Sequence, residues 1–239
     1  MIPTLASDTA MVMAAGLGKR MRPLTDIVPK PLVQVQGKPL IDHTLDQLAD
    51  EGIEHAVVNV HYLPDVLEAH LAKRVHPRVT VSDEREQLLE TGGGLVKARH
   101  LLPDPFFCLN SDNIWRNGAK SALQLLSDQW DAARMDVLLL VVEHERAIGF
   151  NGEGDFLLDS AGHLERRPRD QDAPFIYTGI QLVSHRLLRD PPSGAFSTNL
   201  LWNRALEERR LFGVAFTGLW FEVGTPEAVR NVEEALTSV

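Results

Sequence analysis

The feature that most constrains this chain is a glycine-containing turn, Gly16-Leu17-Gly18, directly after the short apolar run of residues 10–15. Glycines at such a turn allow tight backbone geometry and let N–H groups face an anion. Lys19, Arg20 and Arg22 follow at once and add mobile positive charge. Since a polyphosphate needs both features, this segment predicts a phosphate-binding loop at the end of a buried strand.

Two other phosphate-binding motifs do not fit this turn. A dinucleotide-binding fingerprint requires a glycine three residues after Gly18, where the chain carries Met21. A Walker A loop requires serine or threonine directly after its glycine-lysine pair, where the chain carries Arg20, and the glycine spacing is also wrong. On the two glycines alone, an ordinary surface turn stays open as an alternative.

The first half of the chain alternates between helix and strand patterns. Helical spacing of apolar residues covers 39–51, 64–74, 94–102 and 121–130, and apolar or alternating runs at 10–15, 56–60, 78–82, 105–109 and 137–142 predict strands. Such alternation indicates βαβ units and a mostly parallel sheet, which binds ligands beyond the C-terminal ends of its strands. Two polar turns, 16–20 and 110–113, follow strands in that position.

The second half is less regular. A hairpin is predicted at 156–158 and 163–166, strands at 175–183, 212–216 and 219–223, and helices at 198–208 and 226–236. Thr225 and Pro226 suit the N-cap and the first position of the last helix. Neither an internal repeat nor a long linker divides the sequence, which predicts one domain.

The amino-acid composition argues against disordered, fibrous, nucleic-acid-binding and membrane-spanning proteins. With 239 residues, 44% hydrophobic and 24% charged, the chain suits one large α/β domain and not a disordered or fibrous protein. Its net charge of −9 argues against broad nucleic-acid binding. No apolar run reaches the roughly 18 residues of a membrane span. The single cysteine, Cys108, and an N-terminus without a signal-peptide pattern lead us to expect a cytoplasmic protein without disulfides.

The motifs that follow the glycine turn carry a specific resemblance. They are Pro23-Leu24-Thr25, Pro29-Lys30-Pro31-Leu32, Gly37-Lys38-Pro39-Leu40, Glu90-Thr91-Gly92-Gly93-Gly94, Asn110-Ser111-Asp112 and Trp220-Phe221-Glu222-Val223-Gly224-Thr225. Spread over nearly the whole chain, they resemble the sugar-1-phosphate nucleotidyltransferase family. The 90–94 run, Gly154-Asp155-Phe156 and the short length resemble its branch of uridylyltransferases that act on N-acetylmuramate 1-phosphate.

This resemblance implies a three-layer α/β/α, Rossmann-like nucleotidyltransferase fold with a mostly parallel central sheet. The single domain of residues 1–239 would divide into a nucleotide-binding half, 1–142, and a sugar-binding half, 143–239. The implied reaction is in-line attack of a sugar 1-phosphate on the α-phosphorus of a nucleoside triphosphate, with pyrophosphate as the leaving group. The implied substrates are UTP and N-acetylmuramate 1-phosphate, in cell-wall sugar recycling, with Mg²⁺ as cofactor.

The resemblance also assigns roles to individual residues. Arg20 is expected to hold the β- and γ-phosphates, Lys30 to lie near the α-phosphate, and Asp112 to bind Mg²⁺ at the end of a strand. Nucleotide contacts are expected at Ala14, Ala15, Gly16, Gly18, Arg20, Glu90, Thr91 and Gly93. Sugar contacts are expected at Gly154, Asp155, Arg167, Tyr177, Thr178 and Gly179.

Two positions depart from the family pattern. Glu222 stands where relatives usually carry a metal-binding aspartate, and we keep it as the second metal ligand although its side chain is one methylene longer. Arg167 stands before Pro168, where many relatives carry lysine. Three alternatives stay open: GTP with mannose 1-phosphate, dTTP with a hexose 1-phosphate, and, because of Glu222, a catalytically weak nucleotide-sugar binding protein.

Overall fold

The computed structural model describes residues 4–238 of the chain. In chain order, the strands are β1 (Thr9–Met13), β2 (Gln34–Val35), β3 (Lys38–Pro39), β4 (His55–Val60), β5 (Arg78–Asp83), β6 (Phe106–Asn110), β7 (Asn113–Arg116), β8 (Val137–Glu143), β9 (Ala147–Ile148), β10 (Phe156–Leu158), β11 (Leu164–Arg166), β12 (Phe175–Val183), β13 (Leu211–Ala215) and β14 (Leu219–Glu222). The helices are α1 (Leu40–Asp50), α2 (Pro64–Leu71), α3 (Glu90–Ala98), α4 (Ala122–Gln129), α5 (Thr198–Glu207) and α6 (Pro226–Ser238). None of these helices has the length and apolar content to cross a membrane.

A central sheet runs in the order β11-β10-β12-β6-β1-β4-β5, and β8 joins it by pairing with β12 and with β13. β1 lies parallel to both β4 and β6, β4 to β5, and β13 to β8. β12 runs antiparallel to β6 and β8 and so connects the two halves of the chain. The mostly parallel α/β sheet predicted from the sequence is confirmed.

Helices cover both faces of this sheet, so alternate residues of each strand enter different cores. Val12 and Leu109 pack in the core that contains α1, α2 and α4, whereas Met11 and Cys108 pack in the core that contains α3 and α5. Each of these side chains is at most 2% exposed. Burying an apolar side chain of this size stabilises the fold by about 1.5–3 kcal/mol. The three-layer arrangement follows from this two-sided burial.

A second, three-stranded sheet has the order β7-β14-β9. It packs against α6 in a third core that includes Ile114 and Phe221. Strand β14 runs antiparallel to β7 and pairs Glu222 with Asn113. Since Asp112 directly precedes Asn113, this pairing brings the two predicted metal-binding carboxylates to neighbouring positions. Strand β7 was not predicted from the sequence, and it lies outside the central sheet.

Helix α3 begins earlier than the sequence predicts. The prediction places the helix at 94–102, but it spans Glu90–Ala98 and a 3-10 turn follows it. Glycine normally weakens a helix. Here the N–H groups of Gly92 and Gly93 donate to the carbonyl of Phe196 at 2.8 and 3.2 Å, and a Cβ on Gly92 would lie 2.4 Å from the Phe196 ring. Close packing against the segment before α5 therefore explains these glycines.

The buried carboxylate of Asp136 joins three strands at one end of the sheet. It precedes β8 and accepts hydrogen bonds from Nε of Arg186, after β12, at 2.9 Å and from Nε of Arg210, before β13, at 2.6 Å. Burial alone would raise the pKa of the Asp136 carboxyl, but the hydrogen bonds from Arg210 and Arg186 outweigh it and hold that pKa below its ordinary value.

We expect Asp136→Asn to destabilise the fold by about 2–3 kcal/mol, because two guanidinium groups lose their charge partner. In the wild type, the ionised carboxylate contributes stability above its unfolded pKa of about 3.9 and loses it as the pH falls through the lower folded pKa. The difference between wild type and variant should therefore shrink in acid. Urea unfolding at pH 7 and pH 3 measures both effects.

The matched control is Asp128→Asn, which removes an exposed carboxylate paired with Lys120. Exposed ion pairs contribute about 0–1 kcal/mol, so this variant should stay close to wild type. Equal stability of both variants at pH 7 would contradict the role assigned to Asp136.

Candidate active site

A cavity of about 600 Å³ opens beyond the C-terminal ends of β1 and β6. Met13 and Asn110 end these strands and line the cavity, together with the glycine turn and the start of α3. Its lining includes the predicted site residues Ala14, Ala15, Gly16, Gly18, Arg20, Lys30, Glu90, Thr91 and Asp112. The structure thus gathers the predicted nucleotide-binding and catalytic residues, apart from Gly93, around one space.

Gly18 is the tightest point of the glycine turn. Its φ is 60°, and its carbonyl accepts hydrogen bonds from the Thr25 hydroxyl at 2.8 Å and from the Met21 N–H at 2.9 Å. A Cβ on Gly18 would lie 2.9 Å from Cγ2 of Thr25 and 3.1 Å from Cβ of Lys30. The left-handed backbone and the close approach both favour glycine here. The turn therefore sets the distance between the glycine loop and Lys30.

A buried hydrogen-bond chain holds the start of the glycine turn. Asn59, near the end of β4, accepts from the N–H of Ala14 at 2.6 Å and donates to Oε1 of Glu84 at 2.7 Å. The other oxygen of Glu84 accepts from the N–H of Leu89, immediately before α3, at 3.2 Å. Both side chains are almost fully buried. Leaving such a group unpaired costs about 1–3 kcal/mol, so the chain of bonds ties the turn to α3.

The first residues of α3 face the same cavity. Glu90 has a φ of 58°, a left-handed conformation that costs a residue with a side chain roughly 1–2 kcal/mol. Strained backbone of this kind occurs preferentially at functional sites. The hydroxyl of Thr91 accepts a hydrogen bond from the N–H of Thr198 at 2.9 Å, which fixes α3 against the start of α5.

Lys30 and Asp112 form an ion pair within the cavity lining. Their side chains are 15% and 27% exposed, so both are largely withdrawn from solvent. Pro29 and Pro31 restrict the backbone on either side of Lys30. Asp112 is held by its position just after β6. The pair places a cation and a carboxylate together at the end of the central strands.

Glu222 and Arg20 both lie close to Gly224, which lines the same cavity. The position of a Cβ on Gly224 lies 3.4 Å from both Oε1 of Glu222 and Nη1 of Arg20. Glu222 itself is partly buried and stands behind the lining residues. Within residues 4–238, no group of three or more His, Cys, Asp or Glu side chains is arranged to hold a metal ion. A metal here would depend on few protein ligands.

A second chamber, of about 350 Å³, adjoins the first. The two share the lining residues Met13, Thr91, Asn110 and Ser197. The predicted sugar-binding residues Asp155 and Tyr177 line the second chamber, and Oδ2 of Asp155 accepts a hydrogen bond from the N–H of Tyr177 at 2.9 Å. Two separate spaces therefore meet at the edge of β1 and β6.

Burial keeps two other groups of the second chamber uncharged. It raises the pKa of the Tyr177 hydroxyl well above its ordinary value, and that of the Cys108 thiol to about 12. A thiol with such a pKa is a poor nucleophile at neutral pH. Cys108 is therefore part of the chamber wall, in keeping with its position on a buried strand.

The chain matches the family described as nucleotidyl transferase over residues 9–239, almost its full length. It belongs to this family. The chain is accordingly a nucleotidyltransferase, which agrees with the enzyme class expected from the motifs.

Curated relatives share much of its sequence. The chain is 45% identical to the N-acetylmuramate alpha-1-phosphate uridylyltransferase of Caulobacter vibrioides, over 97% of this chain and 98% of the relative. It is 31% identical to the enzyme of the same name from Neisseria meningitidis, over 90% and 93%. It is also 30% identical to a mannose-1-phosphate guanylyltransferase catalytic subunit beta from Danio rerio, covering 91% of this chain but 61% of the relative.

Solved structures support the fold. An inositol-1-phosphate CTP transferase from T. maritima matches with a TM-score of 0.77 at 18% identity, over 97% of this chain and 96% of the other. A UDP-glucose pyrophosphorylase in complex with UDP-glucose matches with a TM-score of 0.76 at 15% identity, over 96% and 98%. At these identities the likeness concerns the arrangement of the backbone, which is that of a nucleotidyltransferase.

Four predicted sugar-binding residues of this nucleotidyltransferase lie outside both linings: Gly154, Arg167, Thr178 and Gly179. Arg167 forms an ion pair with Glu153 at 2.7 Å. The Thr178 hydroxyl is fully buried and donates to the carbonyl of Leu140 at 2.8 Å. Both side chains are engaged in protein contacts, and Thr178 supports β12 beside the chamber.

The predicted glycine contacts at 93, 154 and 179 also face protein. A Cβ on Gly154 would lie 2.0 Å from the carbonyl oxygen of Ala173, and one on Gly179 would lie 2.7 Å from Nδ2 of Asn110. A Cβ on Gly93 would lie 2.9 Å from a backbone carbonyl in the segment before α5. These glycines allow close packing behind the two spaces.

Sequence reasoning missed three residues that build the site: Asn59, Glu84 and Arg166. Glu84 directly follows β5, a position like that of Asp112 after β6, and this signal could have found it; Asn59 is a polar residue inside the apolar strand β4, which is a second usable signal. Arg166 lines the second chamber where Arg167 was expected. Successive strand residues point to opposite faces, so the side chain of Arg166 reaches the chamber when that of Arg167 does not.

We expect Gly18→Ala to lower kcat/KM for the nucleoside triphosphate about 10- to 100-fold, because a new Cβ would displace Lys30 and Thr25. Steady-state kinetics, with circular dichroism to confirm folding, measures this. Gly37→Ala is the matched control: its φ is also positive, 73°, but no atom lies within 4 Å of the Cβ position. Equal loss in both variants would mean that backbone strain alone is responsible.

Proposed function

We propose that the protein transfers the uridylyl group of UTP to N-acetylmuramate 1-phosphate, forming UDP-N-acetylmuramate and pyrophosphate. The chain is a sugar-1-phosphate nucleotidyltransferase, and the base and the sugar are the proposed part. The observation that carries this choice is the 45% identity, over 97% of the chain, with the Caulobacter enzyme of that name. We assign the step to cell-wall sugar recycling in the cytoplasm.

The first cavity supports binding of the nucleoside triphosphate. Backbone N–H groups at Gly16 and Gly18 can face phosphate oxygens, as glycine-rich turns commonly do. Arg20 lines the same cavity, and its planar guanidinium can bind two oxygens of the β- and γ-phosphates at once. The departing pyrophosphate would stay with Arg20, which lowers the charge repulsion between the products.

The ion pair of Lys30 and Asp112 supports a place for the reacting phosphates. Two phosphate groups must approach although both are anionic, so a cation beside them lowers the barrier. The side chain of Lys30 lines the cavity and is largely withdrawn from solvent. Its ion pair with Asp112 holds the ammonium group in place inside the cavity. We assign Lys30 to the α-phosphate and the incoming sugar phosphate.

The donor set fits magnesium. Mg²⁺ prefers hard oxygen ligands and usually takes one or two carboxylates together with phosphates and water. Asp112 lines the cavity, and Glu222 lies next to the lining residue Gly224, which supports a role for both carboxylates. We propose that these two hold the ion. A bound Mg²⁺ would neutralise and orient the triphosphate.

The second chamber supports binding of the sugar. Asp155 and Tyr177 offer an acceptor and a neutral donor for hydroxyl and amide groups. The shared residues Thr91 and Asn110 mark the junction, where the sugar phosphate must lie if it is to reach the α-phosphorus. The nucleotide and the sugar would thus enter different spaces and meet at one edge of the sheet.

A substrate panel tests the proposal. We expect UTP with N-acetylmuramate 1-phosphate to give a kcat/KM at least about tenfold above any pairing of GTP or dTTP with mannose 1-phosphate or glucose 1-phosphate. Pyrophosphate release measured with and without Mg²⁺ provides the comparison. If the protein turned over only GTP with mannose 1-phosphate, the proposed substrates would be wrong. Tight UDP-sugar binding without turnover would indicate a binding protein.

The carboxylates give a separate prediction for magnesium. We expect Asp112→Asn to lower kcat at least about 100-fold, and Glu222→Gln to raise the Mg²⁺ concentration for half-maximal rate about tenfold. Glu222→Asp should recover part of that loss, because it restores a carboxylate. Asp46→Asn removes a carboxylate paired with Lys38 outside both cavities and serves as the control. Wild-type Mg²⁺ dependence in Glu222→Gln would remove Glu222 from the metal site.

A further inference from the structure

Arg166 is placed unusually for a surface arginine. It ends β11, lines the second chamber, and its guanidinium carbon lies 5.0 Å from the ring centroid of Phe156 and 5.6 Å from that of Trp202. Two aromatic rings therefore support one cation at the edge of the proposed sugar site. Such stacking orients a guanidinium while leaving its N–H edge available.

The partners of Arg166 are neutral. Nη2 donates to Oδ1 of Asn199 at 2.8 Å and to Oδ1 of Asn203 at 3.1 Å. Across residues 4–238, no carboxylate lies within ion-pair distance of Arg166, and its Nε and Nη1 donate to no protein acceptor. Burial lowers the pKa of Arg166 and the charge of Asp155 only partly offsets this. The side chain thus presents to the chamber a positive charge that no ion pair within residues 4–238 neutralises.

A second hydrogen-bond donor, the hydroxyl of Tyr177, belongs to a side chain that contacts the same tryptophan, Trp202. The ring of Tyr177 packs edge-on against Trp202, with centroids 4.9 Å apart. Within the described part of the chain, the Tyr177 hydroxyl has no hydrogen-bond partner, and its raised pKa keeps the proton in place. A charged and a neutral donor therefore flank one indole ring.

The position of Arg166 separates it from the reacting phosphates. Lys30 and Arg20 line the first cavity, whereas Arg166 lines only the second. The phosphate of a bound sugar would occupy the junction, since it must reach the nucleotide. An anion at Arg166 must therefore belong to another part of the sugar.

We propose that Arg166 is a specificity-determining residue that binds a carboxylate carried on a substituent of the sugar ring. This inference rests on the proposed function, in which the sugar is N-acetylmuramate 1-phosphate, whose lactyl ether ends in a carboxylate. A guanidinium with free N–H groups binds that carboxylate through charge-assisted hydrogen bonds. A neutral sugar of the same ring leaves Arg166 without a counter-charge and binds more weakly.

The test compares N-acetylmuramate 1-phosphate with its lactyl amide, which keeps the shape but loses the charge. For the wild type with UTP, we expect kcat/KM to favour the acid about 10- to 100-fold. In Arg166→Gln, the ratio of acid to amide should fall to within about threefold of unity, and Arg166→Lys should recover part of it. Dissociation constants of the two UDP-sugars, measured by calorimetry, give the same ratio independently of turnover.

Arg134→Gln is the matched control, because Arg134 also stacks 5.0 Å from a phenylalanine ring, that of Phe212, but lines neither chamber. It should keep the wild-type ratio. If Arg166→Gln weakens acid and amide equally, Arg166 supports the chamber structurally and the inference is wrong. If the wild type uses neither compound but turns over another sugar 1-phosphate, the proposed function fails instead, and the two failures are distinguishable.

Discussion

The hydrogen-bond chain through Asn59 and Glu84 is the constraint on which the candidate site depends. A glycine turn has little preference for one shape, since glycine populates many backbone conformations. Asn59 removes that freedom at Ala14, where the turn leaves β1, and Glu84 carries the restraint to the residue before α3. Because the side chains of Asn59 and Glu84 are buried, breaking either hydrogen bond would leave a polar atom without a partner and without access to water. The glycine turn and the first turn of α3 are thereby held as one unit.

Much of the fold could be predicted from the sequence because its strands are buried on both faces. Residues such as those of β1, β4, β6 and β8 form continuous apolar runs, and the helices between them show apolar spacing. The predictions of secondary structure are wrong or incomplete where contacts between residues distant in sequence determine the local structure. Gly92 and Gly93 suggest a loop by local preference, yet hydrogen bonds to Phe196 draw them into α3. Strand β7 exists only because β14, about a hundred residues later, pairs with it.

The site was predictable where a motif is contiguous and less so where the chain returns from a distance. The glycine turn, Lys30 and Asp112 were located by sequence, and the structure gathers them around one cavity. On the sugar side, Arg167 was predicted as a contact and Arg166 was not. That choice depends on which face of a three-residue edge strand, β11, turns towards the chamber, and neither apolar pattern nor composition fixes it. In the structure, the Arg166 guanidinium stacks on Trp202 of α5, a residue distant in sequence.

The positions of the first cavity and the second chamber suggest how the proposed substrates would be aligned for reaction. In-line displacement requires the attacking oxygen, the α-phosphorus and the leaving oxygen to lie nearly on one line. If the proposed sugar binds in the second chamber and Arg20 holds the pyrophosphate, that line would pass the junction at Asn110, next to the first cavity in which Lys30 and Asp112 are paired. In that proposed arrangement, Arg20 and Arg166 would stand at opposite ends of the two substrates. A cation at each end would align a doubly anionic sugar phosphate with a triphosphate without drawing both into the same subsite.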